Sequence, residues 1–414
     1  MYLAILRPRV PRRLAIALIF AIHGLIQAGL FSRLAEIQRG VGLTESALGI
    51  SIVGIPAGVL LGSLLISPVI ERRGIRPMLL VGLPFYALGP VLAALAVDVA
   101  TLFGALFLFG IGLTVTSIAM NVESDRVEAA TGGRLINRCH GMWSLGFLTA
   151  SLIGTGAIAL GLSPLMHLVA MLLLWSTAAC ALARSYAPSP PRAHMRSGPA
   201  RRLALPTAAV LLIIAFALSG MLLEGSARNW SVIFVRDVFD AADWVAALAL
   251  PSFIAAQTLG RFLADRWVDR HGPVRVAVAM AAVSLVGLVA VASGLSVAVA
   301  LAGFFLIGLG ISTVYPQAFS AAARLGDRPA SENVAAMSTV QTAIGFAYPP
   351  LFGLIATDHG IQTSFVAVMP LPLLAMLLAR RSLAQKPARE AVGGGAASAM
   401  KGPGNTNRSR GTDP

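Results

Sequence analysis

The chain has 414 residues, 57% of them hydrophobic and 12% charged, with a net charge of +14. A soluble globular chain carries about 25% charged residues. This composition therefore excludes a water-soluble enzyme, a disordered chain and a secreted disulfide scaffold, and leaves a polytopic α-helical membrane protein.

Residues 1–13, with Arg7, Arg9, Arg12 and Arg13, form a basic N-terminus. The apolar run that follows, at about 14–34, is longer than the ~7–15 residues of a signal-peptide core and reads as a retained first span. Apolar segments follow at about 46–69, 77–97, 100–122, 139–160 and 163–184, completing an N-terminal six-helix bundle over 14–184. Residues 185–203, with Pro188, Pro190 and Pro191, read as a basic linker. Six more segments, at about 204–225, 241–264, 273–292, 295–318, 332–356 and 360–380, make a second bundle over 204–381. Residues 226–240 are half polar and ambiguous between loop and helix. The Gly-, Ala- and Ser-rich tail, 382–414, is expected to be disordered. Each span takes about 20 residues, so twelve leave only short loops and no large domain outside the membrane.

An even number of spans puts both termini on one side. Arg33, Arg39, Arg228 and Arg236 fall on the opposite side, and the other 28 of the 32 Lys and Arg fall with the termini. That asymmetry predicts cytoplasmic termini in a bacterial inner membrane. The basic excess then reads as loops beside anionic lipid, so the bilayer is the expected partner and nucleic acid is not. Cys139 and Cys180 build neither a disulfide framework nor a metal site, and a monomer without cofactor or metal is expected.

Two motifs recur at one offset. Glu71-Arg72-Arg73-Gly74 returns as Asp269-Arg270-His271-Gly272, and Phe107-Leu108-Phe109-Gly110-Ile111-Gly112 returns as Phe305-Leu306-Ile307-Gly308-Leu309-Gly310. A shared offset at unrelated positions predicts two parallel six-helix repeats, as in one large class of secondary transporters.

With these repeats the sequence resembles the major facilitator superfamily over nearly its whole length. Glu71-Arg72-Arg73-Gly74-Ile75-Arg76 resembles its loop signature, and the stretch from Gly260 to Gly272 resembles it more fully. The first copy departs from the pattern in having Ser67 and Pro68 before the acid. Ala119-Met120-Asn121, His140-Gly141-Met142-Trp143-Ser144-Leu145-Gly146, and Glu224-Gly225 followed by Asn229-Trp230-Ser231 resemble a bacterial subgroup related to fucose permease. The resemblance implies an all-α integral membrane fold of twelve transmembrane helices in two pseudo-repeat bundles. It also implies a cytoplasmic gate at Glu71, Arg72, Arg76, Asp265, Asp269, Arg270 and Arg275, and a sugar or polyol as solute.

Polar residues in a span are costly and tend to face a cavity or the bundle interior. His23 and Gln27 share a face of the first span, Thr114, Ser117 and Asn121 of the fourth, and His140 and Ser144 of the fifth. Gln257 and Arg261 do so in the eighth, and Ser338, Gln341, Gly345 and Tyr348 in the eleventh. The tenth carries Ser312 and Tyr315. Spans 3, 6, 9 and 12 are nearly free of such stripes and are expected to face lipid. Candidate substrate-binding residues are accordingly His23, Gln27, Asn121, His140, Trp143, Glu224, Trp230, Gln257, Tyr315 and Gln341. Trp143 and Trp230 could stack on a flat ligand, with an interfacial anchor as the other reading of Trp230. Arg261 reads as snorkelling or ion-paired more than anion-binding.

Few of these groups are charged, which suits a neutral, hydrogen-bonding solute. In the fucose-permease-like pattern an acid stands four residues before the Asn, and here that position is Ser117. A coupling proton, if one is used, then falls to Glu224, the carboxylate placed deepest in a span, or to His140. An exporter of amphiphilic drugs or metabolites is the second transport reading. A membrane sensor or partner-binding protein that moves nothing is the reading from another class, and no catalytic constellation suggests an enzyme.

Overall fold

The computed structural model describes residues 10–132, 135–186 and 205–383, apart from the side chains of Ser67, Pro68 and Glu71. The expected N-terminus up to residue 9, the linker over 187–203 and the tail from 384 lie outside the described residues. Among the described residues twelve helices are long and apolar enough to cross a membrane. They are α1 Arg12–Val41, α2 Glu45–Ile66, α3 Ile75–Ala94, α4 Val99–Thr131, α5 Ile136–Ala159 and α6 Pro164–Ser185 in the first half. In the second half they are α7 Ala208–Phe239, α8 Asp243–His271, α9 Pro273–Ala292, α10 Val297–Ala323, α11 Ala330–His359 and α12 Ile361–Leu383. Helices suit this environment because hydrocarbon offers no partner to an unpaired backbone group. Where chain leaves the helices, side chains cap the first turns: Thr44, Asp98, Ser163, Thr207 and Ser296 each accept from the backbone N–H three residues on.

Twelve spans return the chain to the end of the bundle where it began. That end is called the termini end below, and the opposite one the far end.

The ambiguous 226–240 region is helix. α7 runs unbroken to Phe239 and stops where Asp240 takes a left-handed conformation, φ 46°. Ser226, Arg228 and Asn229 are polar but break no helix, so a hydropathy minimum there marks a buried polar face and not a loop.

The two halves repeat in packing detail, 198 residues apart. Gly74 and Gly272, each closing a helix before the next, have φ 77° and 79°, a conformation only glycine adopts freely. Gly110 of α4 sits against the Ile55 carbonyl of α2, and Gly308 of α10 against the Phe253 carbonyl of α8. Gly112 meets Tyr86 of α3, and Gly310 meets Ser284 of α9. Asp98 and Ser296 cap equivalent helices.

The main contacts between halves pair α1 with α7, α2 with α11 and α5 with α8. α3, α6, α9 and α12 pack chiefly within their own halves. These are the four spans nearly free of polar stripes, although α3 carries one buried ring, Tyr86, inward against His23.

The loop before α11 is tied to the start of α7. Asn333 Nδ2 donates to Asp327 Oδ1 at 2.8 Å and Thr207 Oγ1 to Asp327 Oδ2 at 3.0 Å. These hydrogen bonds, Asn333's first, hold the Asp327 carboxyl below the usual carboxylate range.

Candidate functional site

Glu224 and Arg228 stand one turn apart on α7 and therefore on one face. Their charged groups are 3.6 Å apart, and Arg261 of α8 approaches the other carboxylate oxygen at 3.9 Å. The side chains remain 14%, 25% and 32% exposed respectively. The Arg228 guanidinium lies over the Phe31 ring of α1, 5.4 Å from its centroid, so a C-half cation rests on the N-half. Gly225 between them leaves room for the Tyr348 ring of α11. The Tyr348 and Ser226 hydroxyls share a short hydrogen bond. Gln341 of α11 donates to the Tyr315 hydroxyl of α10 at 3.1 Å. Tyr315 lies within electrostatic reach of Glu224, Arg228 and Arg261. Four helices of the second half thus converge on one polar cluster.

The first half is less polar here. Asn121 donates to the Ser117 carbonyl of its own helix at 2.8 Å and keeps its amide oxygen for another partner. His140 is exposed, edge-on to Phe20, and within electrostatic reach of Arg261. Trp143 is partly buried, tilted against Phe147. α1 packs tightly on α5: Gly24 sits against the Trp143 carbonyl and Gly146 against the Ala21 carbonyl.

Of the residues expected at the site, Glu224, Tyr315 and Gln341 come together, and His140 lies within electrostatic reach of Arg261. His23, Gln27 and Gln257 are buried polar groups of the helix packing instead. His23 stacks on Tyr86 at 4.7 Å and faces the Leu113 carbonyl at 3.4 Å. Trp230 is fully buried and stacks on Phe352 at 5.2 Å, so it is a core residue of the second half, neither a ligand platform nor an interfacial anchor in this conformation. Arg261 is ion-paired, as expected. Arg228, which lies in the ambiguous 226–240 stretch and was counted with the basic residues of the far side, is the member of the cluster that sequence reasoning missed. Its signal was the i, i+4 spacing to Glu224.

The gate residues divide. Arg76 binds the carbonyls of Ala183, Arg184 and Tyr186 at 2.9, 3.0 and 2.6 Å, so it fastens α3 to the end of α6 within one half. It does not bridge the halves. Arg72, Asp265, Asp269, Arg270 and Arg275 are exposed at the termini end. Among the described residues these five make no side-chain hydrogen bond or ion pair. The Glu71 side chain lies outside the described residues.

The far end is tied. Arg39 of α1 makes a two-pronged pair with Asp243 of α8, at 2.9 and 3.0 Å. Arg236 of α7 donates to the Ala35 carbonyl at 2.9 Å and to Gln38 at 3.1 Å, both on α1. Thr155 of α5 donates to the Ala247 carbonyl at 3.2 Å, and Thr357 of α11 accepts from the Ser46 backbone N–H at 2.9 Å. Arg33, at the far-side end of the expected first span, is fully buried in α1. It donates to His167 at 3.1 Å, Glu36 at 2.5 Å and the Leu162 carbonyl at 3.0 Å.

Comparison with known proteins agrees with this architecture. A sequence profile for the Major Facilitator Superfamily matches residues 16–347 and 239–406. An uncharacterised MFS-type transporter of Yersinia pestis is 28% identical over 378 residues, covering 90% of this chain and 96% of that protein. Solved structures of the nucleoside transporter NupG and of a D-xylose-proton symporter superpose with TM-scores of 0.72 and 0.71. Their identities are 13% and 16%, and they cover 91% and 88% of this chain and 100% and 96% of their own. The likeness to the two solved structures is one of fold. The chain belongs to the major facilitator superfamily, a family of transporters and not of enzymes.

Proposed function

We propose that this superfamily member is a secondary transporter that moves a small polar solute across the bacterial inner membrane by alternating access. The termini end faces the cytoplasm, and a proton taken up by Glu224 drives the solute. The carrying observation is the asymmetry of the two ends. The far end is laced across the halves by Arg39, Asp243 and Arg236, while the gate charges Asp265, Asp269 and Arg270 stand exposed at the other, without an ion pair among the described residues. A polar cluster between them is the natural place for a solute. Rocking the halves about it would break one set of ties and form the other.

Coupling follows from the cluster. Glu224 is the counter-charge of both Arg228 and Arg261. A proton on Glu224 removes that counter-charge, so proton uptake and ligand binding act on the same two guanidiniums. Gln341, Tyr315 and Asn121 offer hydrogen bonds to hydroxyls, which supports a polyhydroxylated ligand such as a sugar or polyol. The similarity of fold to a xylose symporter is in keeping with that class.

The test is uptake into proteoliposomes with and without an imposed pH gradient. Parent protein should accumulate solute against its gradient, and Glu224→Gln should lose accumulation while keeping exchange, which needs the site and the rocking but no net proton movement. Accumulation that survives in Glu224→Gln moves the proton to His140. No gradient effect in the parent makes the protein a uniporter.

A further inference from the structure

We infer that the transported solute carries one carboxylate, a sugar acid in preference to a neutral sugar, and that Arg228 and Arg261 hold it. This rests on the transport reading above and narrows its substrate class. Two guanidiniums against one carboxylate leave the cluster one positive charge in excess, at the middle of the bundle. Among the described residues no acid of the first half pairs with Arg228 or Arg261. On α4, Glu123 lies within electrostatic reach of Tyr186 at the termini end. His140 and Tyr315, titratable groups within electrostatic reach of Arg261, add no negative charge. An uncompensated charge at this depth is costly, and function is the usual reason for keeping one.

The geometry is that of a site held open. Contacts of 3.6 and 3.9 Å are longer than the ~2.7–2.9 Å of a charge-assisted hydrogen bond. Among the described residues neither guanidinium donates a hydrogen bond to any partner. Two planar forks of N–H donors, partly exposed and converging on one place, suit the two oxygens of a carboxylate. Phe31 fixes one fork from the opposite half, so a ligand bound there touches both halves. With Glu224 ionised, one negative charge brings the cluster to neutrality, whereas a dianion would reverse its sign. The hydroxyl-binding groups Tyr315 and Gln341 would then take the body of the ligand. A proton on Glu224 together with one substrate anion leaves the cluster at the single positive charge of the empty site with Glu224 ionised, so the two bind without opposing each other.

The probes are D-gluconate and D-galacturonate, with D-glucitol and D-galactose as their uncharged counterparts. Thermal unfolding of the purified protein is followed with each at about 10 mM, above the usual micromolar-to-millimolar range. At least one acid should raise the melting temperature, and its uncharged counterpart should not. Arg228→Gln and Arg261→Gln should each weaken that binding at least about tenfold, as expected for losing hydrogen bonds to a charged group. Glu224→Gln should tighten it. If a glutamine variant fails to fold, Arg228→Lys and Arg261→Lys keep the charge without the fork and should still bind more weakly than the parent. A shift from the neutral compounds but not the acids, no shift from any of the four, or acid binding indifferent to both arginines overturns the inference. Acid binding with no counterflow in proteoliposomes would instead sink the transport reading and leave the anion site standing.

Discussion

The far-end ties make a quantitative prediction about the conformational equilibrium. Arg236 gives α1 two hydrogen bonds, to the Ala35 carbonyl and to Gln38, at 2.9 and 3.1 Å. A bond from a charged donor is worth about 1.5–3 kcal/mol. Arg236 also holds Asp237 of its own helix and keeps that partner when the halves part, so about 2 kcal/mol for the two bonds together is a fair figure. The Arg39–Asp243 pair is about half exposed, which limits it to roughly 0.5–1 kcal/mol despite its two prongs. Arg236→Gln with Asp243→Asn should therefore cost the far-end-closed state nearly 3 kcal/mol, or about a hundredfold in the equilibrium at 1.4 kcal/mol per decade. A far-end-open population of about 1% in the parent would rise to about half. The assay is pulsed electron spin resonance between labels at Leu160→Cys and Leu295→Cys, far-end positions in opposite halves that are 78% and 77% exposed. Cys180 is first replaced by Ala, and Cys139 is buried. The parent should give one short distance and the double variant a second, longer one. An unchanged distribution would show that packing of α1 on α7 and of α2 on α11, not these polar ties, sets the closed state.

Three further outcomes are expected. Asp327 is held below its ordinary pKa by Asn333 and Thr207, so its contribution is complete above the unfolded value of about 3.9 and disappears as pH falls through the folded one. Amide exchange at 205–207 and 327–333 should therefore accelerate only below about pH 4, and Asp327→Asn should abolish that acid step. Gly110→Ala and Gly308→Ala push a Cβ into equivalent backbone carbonyls and should each destabilise by about 1–3 kcal/mol in thermal unfolding, whereas Gly104→Ala, with open space around it, should be nearly silent. Asp269→Asn should slow transport with little change in ligand affinity if the exposed loop charges close a gate on the other half of the cycle. Unaltered transport by both Asp269→Asn and Glu71→Gln would reduce the motif to a turn with topology charge.

The fold was legible because its determinants repeat in the chain. Apolar length alone places twelve spans, and the 198-residue offset seen in two motifs reappears in the glycines that let α4 and α10 approach α2 and α8. Helix ends were less legible. α4 runs to Thr131 and α7 to Phe239, well past their apolar cores, because the helix outlasts the stretch of hydrocarbon that hydropathy detects. Reading 226–240 as possible loop followed from treating polarity as exposure. In a bundle with a polar centre, the polar face of a helix can point inward.

The same confusion decides which site residues were found. His23, Gln27 and Gln257 are polar and mid-span, yet their side chains are buried. Glu224, Tyr315 and Gln341 share that sequence signature and meet at the site. A single polar residue in a span cannot separate the two cases, because membrane helices use hydrogen-bonding side chains as interhelical contacts as well as for function. A charge can. A buried amide loses little when its partner is a neighbouring carbonyl, whereas a mid-span guanidinium needs an anion or water. Arg228 and Arg261 outnumber Glu224, the one acid they share. The spacing of Glu224 and Arg228 therefore carried more information than any polar stripe. The excess of cations over anions, more than the count of hydrogen-bonding groups, separates a carboxylate-bearing ligand from a neutral one.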